Sequence, residues 1–96
     1  MEFKDLLEII LGKQKRISGY VANISESSVK GESYVIYDVK MHNGQHVFVH
    51  SNDEFQRLNL GKRVRMYVNI SEKLKVKIGN KEVESSKLER YKAKSC

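Results

Sequence analysis

One aromatic residue in this sequence stands between two histidines in an alternating segment, which gives it the neighbours of a stacking site. Phe48 is flanked by His46 and His50, and Lys40 lies a short distance upstream. Proteins bind single-stranded nucleic acid by stacking bases on exposed aromatic rings beside basic groups that follow the phosphates. An outward Phe48 therefore predicts a binding site for a single strand. The alternative is that the N-terminal helix or a partner subunit covers Phe48.

The positive charge of the chain is concentrated in one segment. The formal net charge is +6, and residues 57–81 hold eight lysines and arginines against one acidic residue. Five of these cations alternate with apolar residues on two predicted strands and share a surface: Arg63, Arg65, Lys73, Lys75 and Lys77. Because crowded cations repel one another unless an anion relieves them, this row favours a phosphate backbone. The structural alternative is that lysines on a solvent face protect an edge strand from pairing.

Metal and enzyme chemistry have little support in the sequence. His42, His46 and His50 recur every four residues, a spacing that aligns ligands on a helix but not on a strand. We find no nucleophile with a base at a recognisable spacing, no paired acids and no glycine-rich phosphate loop. The only cysteine, Cys96, has no partner for a disulfide or a thiolate cluster. We therefore expect a protein that is not an enzyme and that binds no metal or cofactor.

Length and composition predict one folded domain. The chain has 96 residues, of which 40% are hydrophobic and 31% are charged, as in folded soluble proteins. We divide it into an N-terminal helix at residues 1–12, a barrel at residues 13–84 and a charged tail or short helix at residues 85–96. The apolar run before Gly12 is interrupted by Glu8, so we expect no membrane span or signal peptide. A lone cysteine fits a reducing compartment, and we expect a cytoplasmic or nucleoid-associated protein.

Residues 2–11 have the spacing of one apolar helical face. The apolar residues recur at intervals of three and four and are Phe3, Leu6, Leu7, Ile10 and Leu11. Gly12 provides a C-terminal stop. We expect this helix either to close one end of the barrel or to dock onto a protein partner or a second copy of the chain, chiefly through Phe3, Leu6, Leu7 and Ile10.

From Lys15 onward the helical spacing gives way to the alternation of strands. We predict five strands, at residues 15–24, 33–41, 45–50, 62–70 and 73–78. Gly19 predicts a bulge or sharp bend within the first strand. Between the third and fourth strands, helix-capping residues at 51–54 precede Phe55 and Leu58 and predict one short helical turn that plugs the barrel.

The register of the second hairpin follows from its side chains. A two-residue turn at Asn43 and Gly44 places charged residues among the valines, whereas a three-residue loop with a left-handed Gly44 separates the two faces. The inner face then holds Val35, Tyr37, Val39, Met41, Val47 and Val49. The outer face holds Ile36, Asp38, Lys40, His46, Phe48 and His50.

This order of elements resembles the OB-fold. The resemblance covers roughly residues 15–80 and is carried by Ile17–Val21, Tyr37–Val39, Gly44–Val49 and Leu60–Val64. It is closest to small single-strand-binding domains of the replication-protein type. The family's usual binding surface on strands two and three implies that Phe48 stacks a base, with Tyr67 or Tyr34 as a second platform.

Two functional hypotheses follow from these observations. In the first, the chain binds single-stranded DNA or RNA with little sequence preference, using Phe48 and Tyr67 for stacking and the basic row for phosphates. In the second, it is a small OB-type scaffold or adaptor subunit of a replication or transcription assembly, docked by helix 2–11 and the hairpin face. The two hypotheses differ in what covers Phe48.

Overall fold

The computed structural model describes residues 14–52 and 57–93, which fold into five β-strands. These are β1 (Gln14–Val29), β2 (Glu32–Met41), β3 (His46–Ser51), β4 (Arg63–Ile78) and β5 (Lys81–Ala93). The described residues contain no helix. Within those same residues, nothing has the length and apolar character of a membrane-spanning helix.

The strands form one closed sheet in the order β1, β2, β3, β5, β4, with β4 paired again to β1. All neighbours are antiparallel except β3 and β5, which are parallel. The long β1 closes the ring because it pairs with β4 at residues 14–20 and with β2 at residues 19–29. The sheet therefore has β4 and its two neighbours on one side of the ring and the β2–β3 hairpin on the other.

Gly19 lies where β1 pairs with both neighbours, opposite Met41 on β2 and Val64 on β4. A Cβ atom at this position would lie 2.2 Å from the backbone oxygen of Lys40, a distance that no side chain tolerates. The glycine thus permits close backbone approach, while the register shift predicted near it occurs between Val21 and Asn23.

The main core fills the inside of the ring. Every strand contributes to it, and its buried residues are Ile17, Val21, Tyr37, Val39, Val49, Leu58, Val64, Met66, Val68 and Leu88. The predicted register of the β2–β3 hairpin is confirmed, since Val39 pairs with Val47, Tyr37 pairs with Val49, and Gly44 has a φ of 86°. The inner face of that hairpin packs into this core as predicted.

A second core lies outside the ring. The outer halves of β4 and β5 form a hairpin, residues 73–86, which we call the distal arm. The arm packs on the outer face of the β2–β3 hairpin, where Ile36, Val76 and Val83 are buried and Val29, Tyr34, Phe48, Leu74 and Ile78 pack against them. The part of the outer face of the β2–β3 hairpin that holds Ile36 and Phe48 is consequently an internal interface and not an open surface.

Three strand boundaries differ from the prediction. The polar segment at residues 25–32 is not a loop, because β1 continues to Val29 and turns through Lys30 and Gly31, both with positive φ. Residues 62–70 and 73–78 are one strand, β4, with an irregularity after Asn69. The fifth strand is β5 at residues 81–93, most of which was predicted to be a charged tail or short helix.

The two predicted helices are not seen in the described part of the chain. Helix 2–11, with its docking residues Phe3, Leu6, Leu7 and Ile10, lies outside the described residues. Residues 53–56 of the predicted plug also lie outside them, and residues 57–59 are not helical. Leu58 nevertheless enters the main core, and its backbone N–H donates a hydrogen bond to the Tyr37 hydroxyl at 3.0 Å.

Candidate nucleic-acid interface

The structure does not leave Phe48 open as a stacking platform. Its ring is partly buried in the second core, beneath the distal arm. Phe48 faces away from the main core, as predicted, but its ring packs against the arm and is only partly exposed to solvent. The sequence alternation identifies the side of the strand on which a residue lies, and it carries no information on what packs against that side.

The two histidines beside Phe48 make separate contacts with the protein. His46 Nδ1 lies 2.7 Å from Asp38 Oδ1 on the exposed side of the hairpin. His50 is buried, and its Nδ1 lies 2.8 Å from the hydroxyl of Ser85 on the arm. Burial, with a smaller contribution from Lys87, lowers the pKa of His50 below its ordinary value. Neither histidine is directed with Phe48 toward a common ligand.

The predicted row of lysines lies on the solvent side of the arm and faces glutamates. In the register of β4 and β5, Lys75 is opposite Glu84 and Lys77 is opposite Glu82. The ammonium group of Lys73 lies 3.2 Å from a carboxylate oxygen of Glu84. Because two carboxylates lie among the three lysines, this surface offers less net charge to a phosphate backbone than the lysines alone suggest.

Arg63 and Arg65 are separate from these lysines. They lie on the inner half of β4, residues 63–69, before the irregularity that follows Asn69. The inner half lies between β1 and the end of β5, and residues opposite each other on neighbouring strands point to the same side. We call the resulting outer surface the basic face. It consists of Arg16, Ser18 and Tyr20 on β1, Arg63, Arg65 and Tyr67 on β4, and Arg90 and Lys92 on β5.

The residues of the basic face form three rows across the strands. Tyr20 is beside Arg63, Arg65 lies between Ser18 and Lys92, and Tyr67 lies between Arg16 and Arg90. Successive rows are about 6.8 Å apart, since same-face residues on a strand are separated by two residue rises. Lys40 extends the first row, because it lies opposite Tyr20 on β2.

Four cations of the basic face have no carboxylate partner among the described residues. These are Arg16, Arg63, Arg65 and Lys92. The Nε of Arg65 is also buried without a hydrogen-bond partner in this part of the chain. Unit charges about 5 Å apart repel by roughly 0.8 kcal/mol even in water, so a bound polyanion relieves unfavourable energy here.

The two tyrosines of the basic face have different surroundings. Tyr20 is 39% exposed and lies between Lys40 and Arg63, so its ring is accessible beside cations. Tyr67 is only 9% exposed, and the guanidinium group of Arg90 covers its ring. Tyr67 is therefore a support for Arg90, and the accessible aromatic of this surface is Tyr20.

Sequence reasoning found part of this surface and missed the rest. It identified Lys40, Arg63, Arg65 and Tyr67 but not Arg16, Tyr20, Arg90 or Lys92. For β1 the signal was present, because Arg16, Ser18 and Tyr20 alternate with the core residues Ile17 and Val21. For Arg90 and Lys92 no such signal was available once residues 85–96 had been interpreted as a tail.

The described residues contain no group of three histidine, cysteine or acidic side chains placed to hold a metal ion. Comparison with known proteins also gives no guide to function: no family model, curated protein or solved structure matches this chain. The functional argument therefore rests on the geometry and charge of the surface alone.

Proposed function

We propose that this chain is a binding protein, not an enzyme, and that it binds single-stranded nucleic acid through the basic face with little dependence on base sequence. The observation that carries the proposal is the grouping of Arg16, Arg63, Arg65 and Lys92, without described carboxylate partners, on the same face as the exposed ring of Tyr20. Cations that follow phosphates beside a ring that stacks bases are the two components of sequence-tolerant binding to single strands.

We also propose that the fold is an OB barrel. A closed ring of five strands in which the long β1 is shared between two neighbours supports this proposal. OB domains usually bind oligonucleotides on strands two and three, between two connecting loops. In this chain the distal arm covers the part of that surface that holds Ile36 and Phe48, which supports placing the interface on the other side of the ring.

The second hypothesis from the sequence, docking onto a protein through helix 2–11, stays a prediction, since those residues lie outside the described chain. The hairpin face that it also used is covered by the arm. No feature of the described surface favours docking over nucleic-acid binding, whereas the basic face favours nucleic acid.

The test is a titration of a labelled oligothymidylate followed by fluorescence anisotropy at several salt concentrations. If four cations contact phosphates, log affinity falls with log salt concentration at a slope of roughly −3, because each contact releases about 0.7 of a counterion. The same sequence in a duplex binds more weakly, since its bases are not free to stack on Tyr20. A salt-independent affinity overturns the proposal.

A further inference from the structure

A cavity of about 490 Å³ opens at the first row of the basic face. The side chains of Tyr20, Lys40, His42 and Arg63 line it, together with Gly19 and the loop at residues 42–44. A volume of this size is ordinary for a site that receives a single small molecule or one nucleotide. The cavity is thus a pocket at one end of the basic face.

The backbone explains why the face ends in a pocket. Gly19 has no side chain, and β1 approaches β2 so closely that a Cβ atom would collide with the Lys40 carbonyl. On the other side, Gly44 turns the β2–β3 loop in the left-handed conformation, and the Gly44 N–H donates a hydrogen bond to the Met41 carbonyl. The β2–β3 loop therefore forms one wall of the pocket. A nucleic-acid strand that lies along the basic face ends against this wall.

The chemistry of the lining selects an anion. Lys40, His42 and Arg63 supply N–H donors, and no carboxylate is among the lining residues in the described chain. The nearest acid on the same face, Asp38, already contacts His46. A guanidinium group binds phosphate oxygens in a bidentate manner, and an ammonium group adds a point charge.

A terminal phosphate fits this pocket better than an internal one. A phosphomonoester carries about −1.5 to −2 charges at neutral pH, and it has three free oxygens. An internal phosphodiester has a single charge and is tethered to nucleotides on both sides, so the loop wall blocks one of them. The exposed ring of Tyr20 at the rim then stacks the terminal base.

We infer that this pocket receives the phosphorylated end of a single strand bound along the basic face. The inference rests on the proposed function, since it assigns one end of the strand to one end of that face. A single strand then binds along the basic face in one orientation. The protein recognises the phosphorylated end of the strand as well as its unpaired bases.

The test uses three oligothymidylates of equal length, one with hydroxyl groups at both ends, one with a 5′-phosphate and one with a 3′-phosphate. We expect one phosphorylated strand to bind about tenfold more tightly than the hydroxyl strand, as charge-assisted hydrogen bonds of ordinary strength provide. In Lys40→Gln and in His42→Gln that preference falls to about twofold or less. The control Lys81→Gln, which removes an exposed lysine at the tip of the distal arm, keeps the full preference.

The outcomes separate the two proposals. If the hydroxyl strand binds with a steep salt dependence and neither phosphate improves its affinity, the pocket assignment is overturned and the proposed function stands. If the preference for a phosphorylated strand persists in both Lys40→Gln and His42→Gln, the terminal phosphate binds elsewhere on the protein and the pocket assignment is again overturned. If no strand binds at any salt concentration, both are overturned.

Discussion

The guanidinium carbon of Arg90 lies 4.1 Å from the centre of the Tyr67 ring, and the two residues are opposite each other on β5 and β4. A cation at this distance over a tyrosine is held by the ring's electron density. The contact fixes Arg90 at the margin of the basic face and covers the ring that the sequence suggested for stacking. It leaves Tyr20 as the only well-exposed aromatic ring within the basic face.

Tyr20→Ala therefore weakens binding to a single strand. Loss of one stacking platform costs about 1 to 3 kcal/mol for the base concerned, at every salt concentration and with an unchanged salt slope. Ile70→Ala is the control, because Ile70 is exposed to nearly the same extent, 38% against 39%, at the bend of β4. Anisotropy titrations measure both variants, and equal affinities for the two contradict the role of Tyr20.

The arginines and lysines of β4 provide a matched pair of double substitutions. Arg63→Gln with Arg65→Gln removes two charges from the basic face, and Lys75→Gln with Lys77→Gln removes two from the same strand on the distal arm. The arginine variant reduces the salt slope by about 1.4 and lowers affinity about ten- to hundredfold at low salt. The lysine variant leaves the slope nearly unchanged, because Lys75 and Lys77 lie outside the basic face, on the arm, opposite Glu84 and Glu82. A larger effect from the lysine pair places the interface on the arm and contradicts the proposal.

Phe48→Ala is expected to lower stability and leave binding unchanged, whereas Tyr20→Ala is expected to weaken binding. It removes a partly buried ring from the second core, so it lowers the free energy of unfolding by about 2 kcal/mol, somewhat less than for a fully buried phenylalanine. The folded fraction binds single strands normally, since Phe48 is not on the basic face. Urea denaturation measures the stability, and titration below the unfolding transition measures the binding. A variant that is fully stable but binds weakly restores Phe48 as the stacking residue.

Gly19→Ala tests the close approach of β1 to β2. The added methyl group would lie 2.2 Å from the Lys40 oxygen, and the obstacle is backbone, so a strand must shift. We expect a loss of about 3 kcal/mol, at the upper end for overpacking, in urea denaturation. Ser18→Ala, one residue earlier and partly exposed, changes stability by about 0.5 kcal/mol or less. Similar stabilities for the two variants contradict the observed spacing.

The elements that the sequence predicted well are those whose local pattern is regular. The β2–β3 hairpin alternates without interruption, and only a left-handed Gly44 keeps its valines on one face, so its register followed from side-chain chemistry. Val64, Met66 and Val68 similarly identified the inward face of β4. In both cases one face is buried in the main core, which strongly constrains the register.

The elements that the sequence did not predict contain irregularities. β5 has an extra residue at Glu89, between the pairs Tyr67 with Arg90 and Val68 with Leu88. Leu88 and Tyr91 consequently reach the same core although they are three residues apart, the spacing of a helix. With β5 unrecognised, neither its contribution to the basic face nor the arm that covers Phe48 was predictable.

One buried histidine, His50, adds a hydrogen bond between the arm and the ring to the apolar contacts of the second core. The Ser85 hydroxyl donates a hydrogen bond to the Leu74 carbonyl at 3.2 Å, so its oxygen accepts the hydrogen bond from His50 Nδ1. The ring of Tyr34 meets His50 edge-on, with centroids 5.5 Å apart. Burial, with a smaller contribution from Lys87, lowers the pKa of His50 although Glu72 and the hydrogen bond to Ser85 act in the other direction.

The pH dependence of stability follows from this lowered pKa. The unfolded chain binds a proton at His50 near pH 6.5, whereas the folded chain binds it only at lower pH, so the unfolded state gains protons first as the pH falls. The contribution of neutral His50 is complete above about pH 6.5 and is lost progressively below it.

We expect the free energy of unfolding, measured in urea at a series of pH values from about 7.5 to 5, to fall more steeply for the parent than for His50→Gln. Other titrating groups are shared by the two proteins and cancel in the difference. If the stability of His50→Gln falls with pH as steeply as that of the parent, the pKa of His50 is not lowered in the folded chain and the histidine is not buried beneath the arm.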